Sequence, residues 1–432
     1  MKLVDVAVVG GGVAGLIAAH DTSRMGLSTL LFEAAPLLGG RAQTRAHQGF
    51  YFNQGPHALY ANGQFNKALN SMGIKVSGHR LQLSNALALW DGQRHPLPLG
   101  HKAAKCATPL DEIDRAQLAR TLGEVAEGAY AYSGQPLAAF TACLTPRVAT
   151  TIESLIRLVT YTHAPNLIDC KAALDQLRLS FGGVLYVDGG WGELVAGLAA
   201  AAKAAGVGLR TRSCVASVAR HEAGWVLSGP GIEDQLASSV VLAIAPQVAA
   251  AMVGESKDLA SLVQKTRPVR VTCLDMGLSK LPSSEATFAL GIDQPTYFSI
   301  HSATARLAPS DSALLHAARY LAPGEAPTPA HLQVLEAMTD LLQPGWRAVE
   351  VKRQRLAGMV VAHDFPGFEV RGQRSPATVQ DAPGLFLAGD WIGSQGMLSD
   401  ASAASAQAAA RAVMAYNQQI DKASKYPISR YS

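Results

Sequence analysis

The first forty residues constrain this 432-residue chain more than any other stretch. Leu3 to Val9 is a β-branched run of the kind found in strands buried on both faces. It leads directly into Gly10-Gly11-Gly12-Val13-Ala14-Gly15. A helical stretch from Leu16 to Met25 follows and stops at Gly26, where a left-handed C-cap is expected. Ser28 to Phe32 reads as a second strand that ends in Glu33, eighteen positions beyond Gly15. Each part has a physical job. Gly10 permits the tight turn, Gly12 lets the backbone approach a pyrophosphate, and Gly15 lets the helix pack close to the strand. The helix N-terminus, with Val13 and Ala14 in its first turn, offers free N–H groups and a partial positive charge to phosphate. Glu33 is placed to accept hydrogen bonds from a ribose diol. Strand, glycine turn, helix, strand and acid in this register predict a dinucleotide site.

Composition bounds the rest. A chain of this length holds two to four domains, and with 48% hydrophobic and 16% charged residues it can bury a large core. The formal charge of +4 is spread without a block of like charges, which argues against a nucleic-acid partner. The five cysteines (Cys106, Cys143, Cys170, Cys214 and Cys273) are odd in number and form no CxxC pair. A disulfide framework and a metal site are therefore not expected. No apolar run reaches the ~18 residues of a spanning helix, and the N-terminus opens on a strand without a cleavable signal pattern. These features predict a soluble cytoplasmic protein.

After Glu33 the sequence continues Ala34-Ala35-Pro36-Leu37-Leu38-Gly39-Gly40-Arg41-Ala42, and Asn53-Gln54-Gly55-Pro56-His57-Ala58-Leu59 comes shortly afterwards. Asp188-Gly189-Gly190-Trp191-Gly192-Glu193-Leu194 opens a helix in the middle of the chain. Near the far end, Gly384 to Ala388 is an apolar strand closed by Gly389-Asp390-Trp391. Gly396-Met397-Leu398-Ser399-Asp400-Ala401 then starts an Ala-rich helix that runs to about Tyr416. Together these segments resemble the flavin-containing amine oxidase, phytoene desaturase and protoporphyrinogen oxidase superfamily of FAD-dependent oxidoreductases. The match covers residues 1–60, 180–250 and 375–416 well and is diffuse elsewhere.

The resemblance implies an α/β fold. A Rossmann-type FAD-binding domain (1–75, 180–250 and 370–420) is interleaved with a mixed-sheet plus helical-cap substrate domain (76–179 and 251–369). It implies bound FAD. Glu33 and Ala34 follow the second strand, Gly39, Gly40 and Arg41 meet the pyrophosphate, and guanidinium suits phosphate through its fork geometry. Gly55, Pro56, His57 and Ala58 pass near the isoalloxazine, and the backbone of Val215 touches the adenine. Gly389 and Asp390 reach the ribityl and pyrophosphate region, and the helix start at Met397 and Leu398 faces the flavin. No cysteine lies in the turn before Gly396, which implies a non-covalent cofactor. Within the less family-like segments, Leu110 to about Thr162 reads as amphipathic helix, Val269–Leu278 and 296–302 as strands, and 330–342 as a helix.

FAD accepts a hydride at N5, so the protein need only position a C–H bond and exclude water. The chain carries no GxSxG elbow, no HExxH and no paired carboxylates. His57 is the titratable group that the motif places near the flavin, where it orients substrate, shuttles a proton or packs by shape alone. Aligned with amine oxidases, Met397 stands where those enzymes often hold a cage tyrosine, and the 269–273 strand lacks their lysine. These departures favour dehydrogenation (desaturation) of an apolar or cyclic small molecule, with amine oxidation or a redox-neutral flavin-dependent isomerisation as alternatives. A flavin-bound carrier without turnover is compatible with the same motifs. The electron acceptor is oxygen, a quinone or another protein. A homodimer, and peripheral membrane contact through the basic and apolar 97–105 stretch, are left open.

Overall fold

The computed structural model describes residues 2–83, 86–98 and 109–425, with side chains to residue 420. Its N-terminal unit is β1 (Leu3–Val9), α1 (Val13–Arg24) and β2 (Thr29–Phe32). β1 lies between two parallel neighbours, β2 and the strand Gln235–Leu242, which is why its residues are apolar on both faces. Val6, Ala7 and Val8 are fully buried, and each valine contributes roughly 1.5–3 kcal/mol. α1 stops where Gly26 takes φ 88°, a left-handed turn that costs glycine no Cβ clash.

The first sheet has the order Gly208–Arg210, β2, β1, Gln235–Leu242, Gly224–Ser228, Ser217–His221, and Leu385–Leu387 pairs parallel with the last residues of Gln235–Leu242. Strands from the N-terminal, middle and C-terminal blocks therefore meet edge to edge. The C-terminal helix, Leu398–Lys425, is nine residues longer than expected. It buries Ala403, Ala406, Ala409 and Ala410 and packs against α1, whose Ala14, Ala18 and Ala19 are also buried. Small side chains on both helices let the two backbones approach.

A second sheet runs Glu350–Ala362, Val269–Leu278, Ala313–Leu321, Thr296–Ile300, Phe288–Gly291, Leu87–Trp90, Gln93–Pro96. Val269–Leu278 forms where expected, and its alternation divides two cores. Val271 and Cys273 face a core shared with the helices Glu112–Glu127, Pro146–Thr160 and Cys170–Ser180. Leu274 and Met276 face the helix Pro329–Leu342. Asp111 and Asp169 cap two of the covering helices through Asp114 N–H and Ala172 N–H.

Packing departs from the expected division at one point. The helices Pro246–Val253 and Lys257–Lys265 bury Ala249, Met252 and Leu259 in the first core. Residues 251–265, expected with the substrate domain, thus pack on the first core, where Pro246–Val253 lies over the strand Ser217–His221 and Lys257–Lys265 packs on that helix. None of the described helices is long and apolar enough to cross a membrane. The 97–105 stretch considered for membrane contact lies mostly outside the described residues, as does Cys106.

Candidate functional site

The two glycine turns are built as one unit. Gly10 has φ 106°, and a Cβ there would stand 2.5 Å from the Ala243 carbonyl oxygen. A Cβ on Gly15 would stand 1.8 Å from the Gly10 carbonyl oxygen, so α1 seats on the end of β1 only with glycine at this point. Gly39 N–H donates to the Gly11 carbonyl at 2.7 Å and draws the Gly39-Gly40-Arg41 turn onto the first. The Glu33 carboxylate accepts from Gly11 N–H at 2.7 Å and from Ala35 N–H at 2.8 Å, so it braces the first turn against the chain just beyond β2. Gly12 alone faces open space, where the nearest atom to an added Cβ is 4.0 Å away. α1 has no side-chain cap, and Leu16 is the first residue whose N–H closes back on it, to Gly12. The amides of Val13 and Ala14 are left facing a cleft of about 460 Å³, within the usual range for ligand sites.

Farther along, the cleft is crossed by charge. The Arg41 guanidinium donates to the Asp390 carboxylate at 2.6 Å and to the Val361 carbonyl. His363 donates to the other Asp390 oxygen from Nδ1 at 3.1 Å and from its backbone N–H at 3.3 Å. Burial pushes the Asp390 carboxyl up, but the Arg41 charge and the His363 hydrogen bond together hold it well below the usual carboxylate range. The turn that carries Asp390 is clipped by Ser405 on the C-terminal helix, whose Oγ accepts from Gly389 N–H and lies 2.8 Å from the Gly389 carbonyl.

Where the cleft meets the second core its walls are apolar and aromatic. Tyr161, Met359, Val361 and Leu398 belong to that core and line the cleft with Pro56, His57 and Ala58. The Tyr161 hydroxyl donates to the Pro56 carbonyl at 2.9 Å. His57 Nδ1 lies 3.0 Å from the Gly55 carbonyl, which can only accept, so Nδ1 carries the proton and Nε2 is left as an acceptor. Burial pushes the imidazole down to about 4, against the Gly55 hydrogen bond, so it is neutral near pH 7. Its ring meets Trp191 edge-on at 4.7 Å, and Trp191 Nε1 is buried without a partner beside the cleft. Two non-glycine lining residues here, Tyr161 (φ 60°) and Leu398 (φ 55°), hold the left-handed conformation. Such strain collects at functional sites.

Of the residues expected from sequence, Gly10, Gly12, Val13, Ala14, Glu33, Gly39, Gly40, Arg41, Pro56, His57, Ala58, Gly389, Asp390 and Leu398 line this one cleft. Gly15 and Gly55 lie behind its walls, where an added Cβ on Gly55 would meet Met359 and Cys273. Ala34 is exposed beside Glu33, and Val215 is buried in the first core. Met397 was expected at the cofactor as well. It is buried and lines a second cavity, because the left-handed turn at Leu398 sends consecutive side chains to opposite sides. Sequence reasoning did not single out Tyr161, Ile244, Met359, His363 or Ser402 as lining residues, and Tyr161, Met359 and His363 lie in no local motif. Trp191 stood within the quoted 188–194 segment, and its glycines were the available signal. Among the described residues no group of three or more potential ligands forms a metal centre.

The cradle fits a pyrophosphate-linked dinucleotide: free helix amides, an open Gly12, an arginine and a braced acid share one wall. The family described as "FAD dependent oxidoreductase" matches residues 5–412. A 4,4'-diapolycopen-4-al dehydrogenase from Metabacillus indicus is 33% identical over 84 residues, which is 19% of this chain and 17% of the relative. The match therefore spans about a sixth of that relative's length. Among solved structures, an oxidoreductase from Methanosarcina mazei superposes with a TM-score of 0.75 at 16% identity, covering 95% of this chain and 100% of the other. A triple mutant of putrescine oxidase gives 0.75 at 16% identity over 96% and 99%. At these identities the structural likeness is one of fold. With the family match spanning nearly the whole length, the chain belongs to the FAD dependent oxidoreductase family.

Proposed function

We propose that this enzyme removes hydrogen from an apolar or cyclic small molecule held against the Tyr161, Met359 and Leu398 wall. The observation that carries this reading is the charge inventory of the cleft. Its only acidic lining groups among the described residues are Glu33 and Asp390. Glu33 is taken up by two backbone amides, and Asp390 by Arg41 and His363. No carboxylate remains at the His57 wall to hold an ammonium group, and His57 is itself neutral.

Bound FAD supplies the hydride acceptor. The Val13 and Ala14 amides and Arg41 would hold its pyrophosphate and Glu33 a ribose, while Asp390 keeps Arg41 in place. No side chain bonds the cofactor covalently. His57 Nε2 offers a hydrogen-bond acceptor that orients substrate, and the aromatic and aliphatic wall excludes water. The reducing equivalents pass on to oxygen, a quinone or a partner protein.

The test is anaerobic mixing of the flavin-loaded enzyme with apolar cyclic substrates and, separately, with small primary amines. Loss of flavin absorbance with the first set alone supports the reading. Loss with amines alone replaces it with amine oxidation, and turnover without net bleaching points to isomerisation.

A further inference from the structure

Behind the first turn of the C-terminal helix lies a second cavity of about 260 Å³ that the site described above does not use. Met397 lines it, whereas Leu398 and Ser399 line the cofactor cleft, so the two spaces are separated by one stretch of backbone. Its polar lining includes Asn62, Gln64, Lys67, Gln176 and Asp400. Asp400 is 1% exposed. Its Oδ1 accepts from Phe65 N–H at 2.8 Å, capping the helix Gln64–Ser71 from another part of the chain, and its Oδ2 is buried with no hydrogen-bond partner among the described residues. A Cβ on Gly63 would come within 2.4 Å of both oxygens, so glycine at 63 leaves room for the carboxyl.

We propose that Asp400 is a positioning residue whose charge, acting through the N-terminus of the C-terminal helix, sets the electron affinity of the cofactor cleft, with protons reaching it through the second cavity. The inference rests on the family's FAD occupying that cleft. A helix N-terminus carries about half a positive charge and favours added negative charge nearby. A carboxylate in the first turn cancels part of that field, whereas the protonated acid leaves it intact. The groups facing Asp400 are few, and one of them, the buried Tyr60, donates its hydroxyl to the Val159 carbonyl. Lys67, on the helix Gln64–Ser71, is exposed and makes no ion pair among the described residues. Asp175, on Cys170–Ser180, shares the cavity but is occupied by Lys171 and Tyr130. Arg374 holds the Gly396 carbonyl just ahead of the helix. Burial pushes the Asp400 carboxyl up to about 6, against Phe65 N–H and the Lys67 charge, so it changes state within an accessible range.

The experiment measures the midpoint potential of protein-bound FAD from about pH 5 to pH 8 by dye-linked reduction, in wild type, Asp400→Asn and Lys67→Met. The amide oxygen of asparagine keeps the Phe65 contact. At the alkaline end Asp400→Asn favours the reduced cofactor about tenfold more than wild type, or ~30 mV for two electrons. The difference closes toward pH 5, where Asp400 is protonated in wild type. Lys67→Met, an exposed change that leaves folding intact, moves the wild-type break to higher pH. Equal potentials at the alkaline end, a constant offset at all pH values, or an unmoved break in Lys67→Met would each overturn the proposal. A wild type that retains no FAD overturns the cofactor reading instead, which keeps the two failures distinct.

Discussion

The Arg41 guanidinium meets the Asp390 carboxylate at 2.6 Å across 349 positions of sequence. This contact ties the second glycine turn to the strand end that closes the cleft. Arg41 is 38% exposed at its side chain and Asp390 only 3%, so the buried partner depends on the other. Asp390→Asn should lower stability at neutral pH by about 1–3 kcal/mol, because Arg41 and His363 lose an ionised acceptor. The sign of the pH dependence follows from the depressed carboxyl. Its contribution is present above the unfolded value of roughly 3.9 and is lost as pH falls below it. Urea unfolding of wild type and Asp390→Asn should therefore converge toward acid pH. A gap that stays constant with pH would show that the carboxylate's charge is not what stabilises the turn.

His57 gives the opposite kind of group. In the unfolded chain its imidazole binds a proton near 6.5, while in the folded protein burial holds it down to about 4. The folded state thus loses stability as pH drops from about 6.5 toward 4, by up to roughly 3 kcal/mol. His163 and His301 are lowered by burial as well, so His57→Asn should flatten this limb without abolishing it. Denaturant midpoints at about pH 5 and pH 7 measure the change. Substrate turnover in wild type should show no break from His57 between about pH 5.5 and 8, since the ring is neutral throughout.

Tyr161 holds the loop that carries His57. Tyr161→Phe removes the 2.9 Å hydrogen bond to the Pro56 carbonyl and keeps the aromatic wall. It should cost about 1 kcal/mol and raise the substrate KM with little loss of bound FAD. A variant that loses FAD in proportion to stability would mean that Tyr161 supports the cofactor cradle rather than the substrate wall.

Much of the first unit was legible because its logic is local. β1, Gly10–Gly15, α1, β2 and Glu33 follow one another within a single βαβ turn, and each residue type answers a constraint set by its immediate neighbours. Val269–Leu278 was legible because apolar residues recur along most of it and nearly all of it is buried. His363 and Tyr161 were not legible, since each reaches the cleft through pairing and packing with distant segments and no local pattern marks them. Met397 and Leu398 were both expected at the cofactor, and their lining of two different spaces has another cause. A leucine in left-handed backbone breaks the rule that extrapolates side-chain direction along a helix start, and sequence alone carries no sign of it. The packing of residues 251–265 on the first core was not legible, because an amphipathic helix shows which face it buries but not against which core.

Whether α1 and the open face of Gly12 cradle the FAD pyrophosphate is tested most directly by comparing Gly12→Val with Gly15→Ala. At Gly12 the backbone is extended (φ −77°) and an added Cβ meets nothing closer than 4.0 Å, so the side chain intrudes only on a ligand. At Gly15 an added Cβ lies 1.8 Å from a carbonyl oxygen of the protein itself. Cofactor-free Gly12→Val should unfold at the wild-type temperature while binding FAD about 100-fold more weakly, a loss of ~2.7 kcal/mol, and Gly15→Ala should be destabilised even without FAD. A Gly12→Val protein that is yellow at full FAD occupancy would contradict the placement of the cofactor.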